Sequence, residues 1–247
     1  MKSETTDSIL NGALTLVQPR NGYRFSIDSI LLGRFVRVRR RDRILELGAG
    51  CGVISVMIAA LWLPREVVAV EIQSDLAAIA ERNAALNQLD SIRVINADLR
   101  ARRIDALEPA SFDVIIANPP YRTMGSGRPS PHPGRRVARA EGAATLADFV
   151  AAAQRFAANG ARAAFVFDAS RSAELIRCLA AHSLEPKRIR FVHPRIDASA
   201  TTILVEARKG GGVEVAIEPP LMIYDRPGLY SAEALELMQN SSPTIGG

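Results

Sequence analysis

The chain has 247 residues, 48% of them apolar and 23% charged, with a net charge of +5 and a pI near 9.7. That length supports one sizeable α/β core, and the composition is that of an ordinary soluble globular protein. No apolar run reaches the roughly 18 residues needed to cross a bilayer, the start Met1-Lys2-Ser3-Glu4 has no signal-peptide pattern, and two cysteines, Cys51 and Cys178, make no disulfide framework, so the cytoplasm is expected.

Residues 1–9 are polar and read as loose. Leu14–Gln18 reads as a short strand ended by Pro19 and the turn-like Asn21-Gly22. Asp28 is placed to cap a helix carrying Leu31, Leu32, Phe35 and Val36 on one face. A basic run follows, with Arg37, Arg39, Arg40, Arg41 and Arg43. Ile44–Leu47 predicts a strand, Gly48–Gly52 a tight turn, and Val53, Val56, Met57, Ala60 and Leu61 a helix stopped by Pro64. Val67–Glu71 is a second strand in this series. Ser74 can cap the next helix, with Leu76, Ile79, Ala80 and Leu86 on one side. Ile92–Ile95 is a third strand, leading to Asn96-Ala97-Asp98.

Phe112–Ala117 has no alternation, which predicts a central strand buried on both faces. It runs into Asn118-Pro119-Pro120-Tyr121. The two prolines stiffen that tip, Asn118 offers an amide, and Tyr121 offers a flat aromatic face. Residues 122–144 read as a loop holding Arg122, Arg128, Arg135, Arg136 and Arg139. Thr145 and Asp148 resemble a capping box for a helix with Leu146, Phe149, Val150, Ala153 and Phe156, ending near Asn159-Gly160. Ala163–Phe167 is a strand, Ser172–Ala181 a helix, and Ile189–Val192 and Thr202–Ala207 are late strands. Lys209–Gly212 reads as a flexible link, Glu218–Tyr224 as extended chain, Ala232–Met238 as a last helix, and 239–247 as a disordered tail. The alternation predicts one domain over 1–247. It would be a Rossmann-like doubly wound α/β sheet, mostly parallel, with the two late strands as an antiparallel edge pair.

The glycine turn lies between a strand and a helix, where such a sheet binds its ligand. A dinucleotide fingerprint needs a third glycine at the position held by Val53, so the spacing argues against that motif. The pattern Glu46-x-Gly48-x-Gly50-Cys51-Gly52 matches instead the first motif of Rossmann-like S-adenosylmethionine-dependent methyltransferases. Glu71 then stands where a carboxylate accepts from ribose hydroxyls, although a solvated strand-end acid reads the same way. Asp98, followed by Leu99, stands where it accepts from the cofactor's adenine amine, although a turn or cap residue reads the same way. The three histidines, His132, His182 and His193, lack metal-ligand spacing, so no metal is expected.

Asn118–Tyr121 resembles the target-amine motif of methyltransferases that modify planar nitrogen. The resemblance implies that the Asn118 side chain and the Pro119 carbonyl accept the two amine hydrogens while Tyr121 stacks on the base. A wider resemblance runs through Gln18, Gly22–Ser26, Asp28, Ser29, Leu31 and Leu32. It continues in Pro186–Arg190, Val192-His193-Pro194, Leu204–Gly211, Pro219–Tyr224 and Gly228-x-Tyr230. On these residues the chain resembles the bacterial tRNA1(Val) adenine N6-methyltransferase family, a class I fold with a seven-stranded sheet. That resemblance implies a tRNA substrate and puts Phe25 and Asp28 near the methionine end of the cofactor. Read on their own, Phe25 and Tyr23 serve equally well as core packing. One departure stands out: family members commonly carry Ala-Arg-His-Glu where this chain has Ala138-Arg139-Ala140-Glu141.

The arginines after Tyr121 are placed to grip phosphates at the mouth of the site. The Arg37–Arg43 run and the set Lys187, Arg188, Arg190 and Arg195 offer further basic patches, with a solvated charged face as the alternative for each. A glutamine amide of a release factor, a guanine of rRNA, an adenine of DNA, and RNA binding without catalysis compete with the tRNA reading. The short segment before the glycine turn argues against the first of these. The intact Asn118–Tyr121 set argues against the last.

Overall fold

A computed structural model of the chain describes residues 4–21, 24–120 and 144–240. The strands predicted from apolar runs form a central parallel sheet. They are β3 (Arg43–Leu47), β4 (Glu66–Glu71), β5 (Ile92–Asn96), β6 (Phe112–Ala117) and β7 (Ala157–Asp168). The spatial order β7-β6-β3-β4-β5 reverses direction around β3, which creates the crevice an open α/β sheet offers at its carboxyl edge. β8 (Leu184–His193) and β9 (Thr202–Lys209) close the other side, with β9 antiparallel to both β7 and β8.

Two short strands, β10 (Ala216–Ile217) and β11 (Leu221–Met222), add to β8, so the sheet has nine strands where the resemblance implied seven. The stretch 218–224, read only as extended chain, supplies β11, and β10 lies just before it. A small antiparallel pair, β12 (Tyr224–Arg226) with β13 (Leu229–Tyr230), precedes the last helix.

The unbroken apolar runs are explained by burial on both faces. Along β6, Ile115 and Ala117 pack into one cluster with Phe149, Val150, Phe156 and Leu175. Val114 and Ile116 pack into another with Leu31, Phe35, Ile54 and Leu221. The first face is covered by α4 (Leu146–Phe156) and α5 (Ser172–Ala181). The second is covered by α1 (Ile27–Phe35), part of α2 (Val53–Trp62) and α6 (Ala232–Gln239). α3 (Ser74–Leu86) follows β4 and packs against α2.

Several expectations are corrected. Residues 4–9 are not loose but form β1 (Glu4–Ile9), paired antiparallel with β2 (Leu14–Pro19). Its partner strand is held from far away in sequence. The Asn83 and Asn87 side chains, four residues apart on α3, hold β2 as another strand would. Each accepts from a β2 N–H, Val17 at 2.7 Å and Thr15 at 3.0 Å, and each donates back to the same residue's carbonyl.

α1 is capped by Ser26, whose hydroxyl accepts from the Asp28 N–H, so Asp28 is an acid of the first turn rather than the cap. Ser74 does not cap α3, which begins after Gln73 with no side-chain cap. The Thr145–Asp148 capping box is present with both of its bonds. α4 stops at Phe156, before Asn159-Gly160, because β7 begins at once and its register against β6 shifts there.

Candidate functional site

The parallel register gathers the candidate residues on one edge. Leu47 lies opposite Val70 and Ala117, and Glu71 lies opposite Asn96. The glycine turn, Glu71, Asp98 and Asn118 therefore all follow carboxyl ends of adjacent strands.

The turn itself requires glycine. Gly48, Gly50 and Gly52 have φ of 69°, 59° and 78°, in the left-handed region that side chains disfavour. A Cβ on Gly48 would meet Phe149 at 2.9 Å, and one on Gly52 would meet Ala80 at 2.9 Å. The Gly48 and Ala49 N–H groups both donate to the Val70 carbonyl, at 2.8 and 3.0 Å, stitching the turn to β4. The Asn83 amide donates to the Cys51 carbonyl at 2.8 Å and ties the turn to α3.

Glu71 is 4% exposed. Its Oε2 accepts from the Gly50 N–H at 2.8 Å and its Oε1 from the Gln73 N–H at 2.9 Å. This carboxylate thus shapes the turn. Each of its oxygens keeps a second lone pair for a hydroxyl donor.

Glu46, grouped with the glycine motif in sequence, has a different place. It is 3% exposed and lies beneath the turn. Its Oε2 accepts from the Ser55 N–H at 2.9 Å and from the Ser55 hydroxyl. Gly52, at the cap position of α2, has no side chain to satisfy the helix's first N–H groups, and Glu46 does so from the neighbouring strand. Burial pushes its carboxyl up to about 7, opposed by the Ser55 bonds and aided by the Glu71 charge. Cys51 is fully buried, and burial lifts its thiol to about 12, so it remains a protonated packing residue.

Asp98 is not a free acceptor. Its carboxylate takes the Arg100 guanidinium at 2.7 Å and also accepts the Arg100 N–H at 2.9 Å. The Arg100 hydrogen bonds hold it below the usual carboxylate range. The Leu99 side chain packs into the core. The Leu99 carbonyl accepts from Arg155 on α4 at 2.8 Å, and Arg155 also binds the Ala101 carbonyl at 2.7 Å, fixing the turn after β5.

At the tip of β6, Asn118 is half-buried, Pro119 buried and Pro120 exposed. The Asn118 amide donates to the Ser29 hydroxyl on α1 at 3.3 Å, and among the described residues no donor reaches its carbonyl oxygen. Asp28, one residue before Ser29, accepts from Thr202 on β9 and from Ser26, each at 3.2 Å, and so ties α1 to the sheet. Phe25 is half-buried and packs beside Ile30 and Met57, in keeping with the packing alternative.

Sequence reasoning missed Ser29, Ser55, Phe149, Arg100 and Arg155. Ser29 was part of the N-terminal signature but had no assigned role, and the other four contacts are legible only in three dimensions. The third basic patch is not free. Arg188 pairs with Glu206 and Glu218, Arg190 with Glu233, Arg195 with Asp197, and Lys187 lies 3.6 Å from Glu214. Tyr23, Tyr121, Arg122, Arg128, Arg135, Arg136, Arg139, Ala140 and the tail from 241 onward lie outside the described residues. Among the described residues no cluster of three metal-ligating side chains occurs, and no helix is long and apolar enough to cross a membrane.

Residues 24–130 match the family described as the methyltransferase small domain. A tRNA1(Val) (adenine(37)-N6)-methyltransferase of Aeromonas hydrophila is 28% identical over 221 residues, covering 88% of this chain and 89% of the relative. An Agrobacterium tumefaciens protein described as a predicted O-methyltransferase superposes with a TM-score of 0.67 at 24% identity, over 85% of this chain and 94% of its own. M. jannaschii TYW2 in complex with AdoMet superposes with a TM-score of 0.57 at 15% identity, over 84% and 86%. The two structural likenesses establish the class I methyltransferase fold.

Proposed function

We propose that this chain, a class I methyltransferase that shares most of its length with a bacterial tRNA1(Val) (adenine(37)-N6)-methyltransferase, methylates the exocyclic N6 of an adenine in tRNA. S-adenosylmethionine is the methyl donor in this reading. The residues present fit it: a positive-φ glycine turn backed by Glu71, with Asp98 one strand further along the same edge. Glu71 would hold the ribose hydroxyls and Asp98 the adenine amine. When bound, S-adenosylmethionine supplies a methyl group already activated by a positively charged sulfur.

The observation that carries the reading is the Asn118 amide anchored to Ser29 at the carboxyl end of β6, beside the glycine turn. With its nitrogen bonded to Ser29, the Asn118 side chain would have its carbonyl oxygen left to accept from an amine. An exocyclic amine is a poor nucleophile because its lone pair is delocalised into the ring. Asn118 Oδ1 and the Pro119 carbonyl would accept its two hydrogens and draw the nitrogen toward a tetrahedral form. The protein needs no nucleophile of its own, and no strong base, since the amine proton becomes acidic once nitrogen is alkylated. Positioning of this kind can supply roughly 7–11 kcal/mol. An adenine in an anticodon loop is already weakly stacked, so presenting it costs less than extruding one from a duplex. Tyr121 would stack on that base, and Arg122, Arg128, Arg135, Arg136 and Arg139 would hold its flanking phosphates.

Transfer of tritium from labelled S-adenosylmethionine onto separated tRNA, rRNA, DNA and protein, followed by nucleoside analysis, tests the assignment. N6-methyladenosine in tRNA is the expected product. Label in a glutamine amide or in guanine would replace it.

A further inference from the structure

The sheet edge opposite the candidate site is strongly basic. α1 begins at the site, where Ser29 meets Asn118, and its nine residues span about 14 Å toward the far edge. There the chain exposes Arg37, Arg39, Arg40 and Arg41 in the connection to β3. Four acids around them are already engaged. Asp42 accepts the Arg39 N–H at 2.7 Å and pairs with Arg162 at 2.6 Å. Asp113 accepts the Arg43 N–H, Glu66 pairs with Arg43 and Arg93, and Glu206 pairs with Arg188.

Arg65, also exposed, is joined to this group by its N–H bond to the Asp42 carbonyl at 3.1 Å. Arg162 carries the group across the sheet, because it donates to the Arg37 carbonyl at 2.6 Å and stands opposite Arg208 in the β7–β9 register. The exposed Arg208 borders a cavity of about 450 Å³ lined also by Lys187, Lys209 and the backbone of 210–212. Glu185, opposite Arg208 in the β8–β9 register, offsets part of the charge at that end. No ion pair neutralises Arg37, Arg39, Arg40, Arg41, Arg65 or Arg208 among the described residues.

From β8 to β4 the path crosses five strand gaps, about 24 Å. A nucleic-acid strand in a duplex carries one phosphate per about 3.4 Å, so the edge matches about seven phosphates of one strand.

We infer that this edge is a second phosphate-binding track, which grips the backbone of the substrate RNA one helix length or more from the target base. The inference rests on the tRNA reading above and adds to it a surface that makes no contact with the reacting adenine. It implies that a whole tRNA is held at two places and an isolated anticodon stem-loop at only one.

The test compares the wild-type chain with an Arg39→Ala, Arg40→Ala, Arg41→Ala triple variant and with Arg208→Glu. All four side chains are exposed, and because the Arg208 side chain also donates to the Gly160 carbonyl, an unchanged melting temperature checks that each variant is folded. Binding of whole tRNA and of its anticodon stem-loop is measured over about 50–200 mM salt, together with methylation of both. For whole tRNA the triple variant is expected to lose about two to three units of salt slope and to raise KM with kcat unchanged. Arg208→Glu changes the same quantities in the same direction, by less. Methylation of the stem-loop stays at the wild-type level. An unchanged salt slope and KM for whole tRNA overturns the track while leaving the methylation assignment intact. A wild-type protein that methylates neither RNA sinks the tRNA reading and the track with it.

Discussion

Strand ends on the same edge are built in two opposite ways. At the ends of β3 and β4 the acids are buried and bound within the protein, Glu46 to Ser55 and Glu71 to the Gly50 and Gln73 N–H groups. At the end of β5, the Asp98 side chain keeps 32% of its surface, and its partner Arg100 is a half-exposed residue two positions on. Breaking a buried bond leaves a desolvated group unpaired and costs about 1–3 kcal/mol, whereas an exposed ion pair is worth roughly 0–1 kcal/mol. The turn is therefore set before any ligand arrives. The Asp98 contact can be exchanged for a ligand's donor at little cost. A site that must bind and release a cofactor each cycle gains from having both kinds of contact.

The sharpest way to separate these roles is at the tip of β6. Asn118→Ala removes the proposed amine acceptor and touches neither the glycine turn nor Asp98. Methyl transfer is expected to fall about 10²–10³-fold, the range seen when one preorganised polar group is lost from an active site. Binding of S-adenosylmethionine by calorimetry is expected to stay within about twofold. Activity near the wild-type level would remove Asn118 from the chemistry.

Glu71→Gln breaks the buried side of the comparison. The neutral amide keeps an acceptor but loses the charge-assisted bonds, each worth about 1.5–3 kcal/mol. Affinity for S-adenosylmethionine is expected to drop about 10–100-fold, with a lowered melting temperature as the glycine turn loosens. If calorimetry finds unaltered affinity, Glu71 only shapes the turn.

The sequence showed the buried side well and the exchangeable side poorly. The apolar runs of β3, β4 and β6 leave no option but a two-faced core, and the Gly48-Gly50-Gly52 spacing demands positive φ. Glu71 and Asn118 follow from their positions at strand ends. The capping box at Thr145 was equally plain, because its partners are three residues apart. Contacts formed between distant segments were not legible. β1 is a polar stretch paired with β2, which asparagines more than sixty residues away hold in place. Ser29 reaches Asn118 across 89 residues. Glu46 sat in the motif like a ligand acid, and only packing shows it as the remote cap of α2. Asp98 offered no sign of its partner, although Arg100 is two residues away, because short-range pairing depends on how the chain turns after β5.

Glu46 gives the buried side a pH signature. Its folded pKa, pushed up to about 7, lies above the ordinary 4.5. The folded state therefore prefers the protonated form. Relative stability from this group is full below about pH 4.5 and is lost as pH rises through about 7. By linkage the loss is on the order of 3 kcal/mol. Glu46→Gln keeps an acceptor for Ser55 without the buried charge. Denaturant unfolding at pH 5 and pH 8 is expected to show the variant close to wild type at the lower pH and more stable at the higher. Parallel pH profiles for the two proteins would place the ionisation elsewhere.

Arg100→Ala probes the exchangeable side and carries the smallest effect. If the cofactor's amine replaces Arg100 on Asp98, removing Arg100 removes a weak, solvent-screened competitor. Affinity for S-adenosylmethionine is then expected to tighten by up to about fivefold. The pH response should move as well. The Arg100 hydrogen bonds hold the Asp98 carboxyl below its ordinary range, so without them it protonates at a higher pH. The acid limb of cofactor binding is expected to shift upward in the variant, and the tighter binding to be confined to pH values above that limb. Weaker binding at every pH would mean that Arg100 stays on Asp98 in the complex and orients it, and both strand ends would then be fixed in advance.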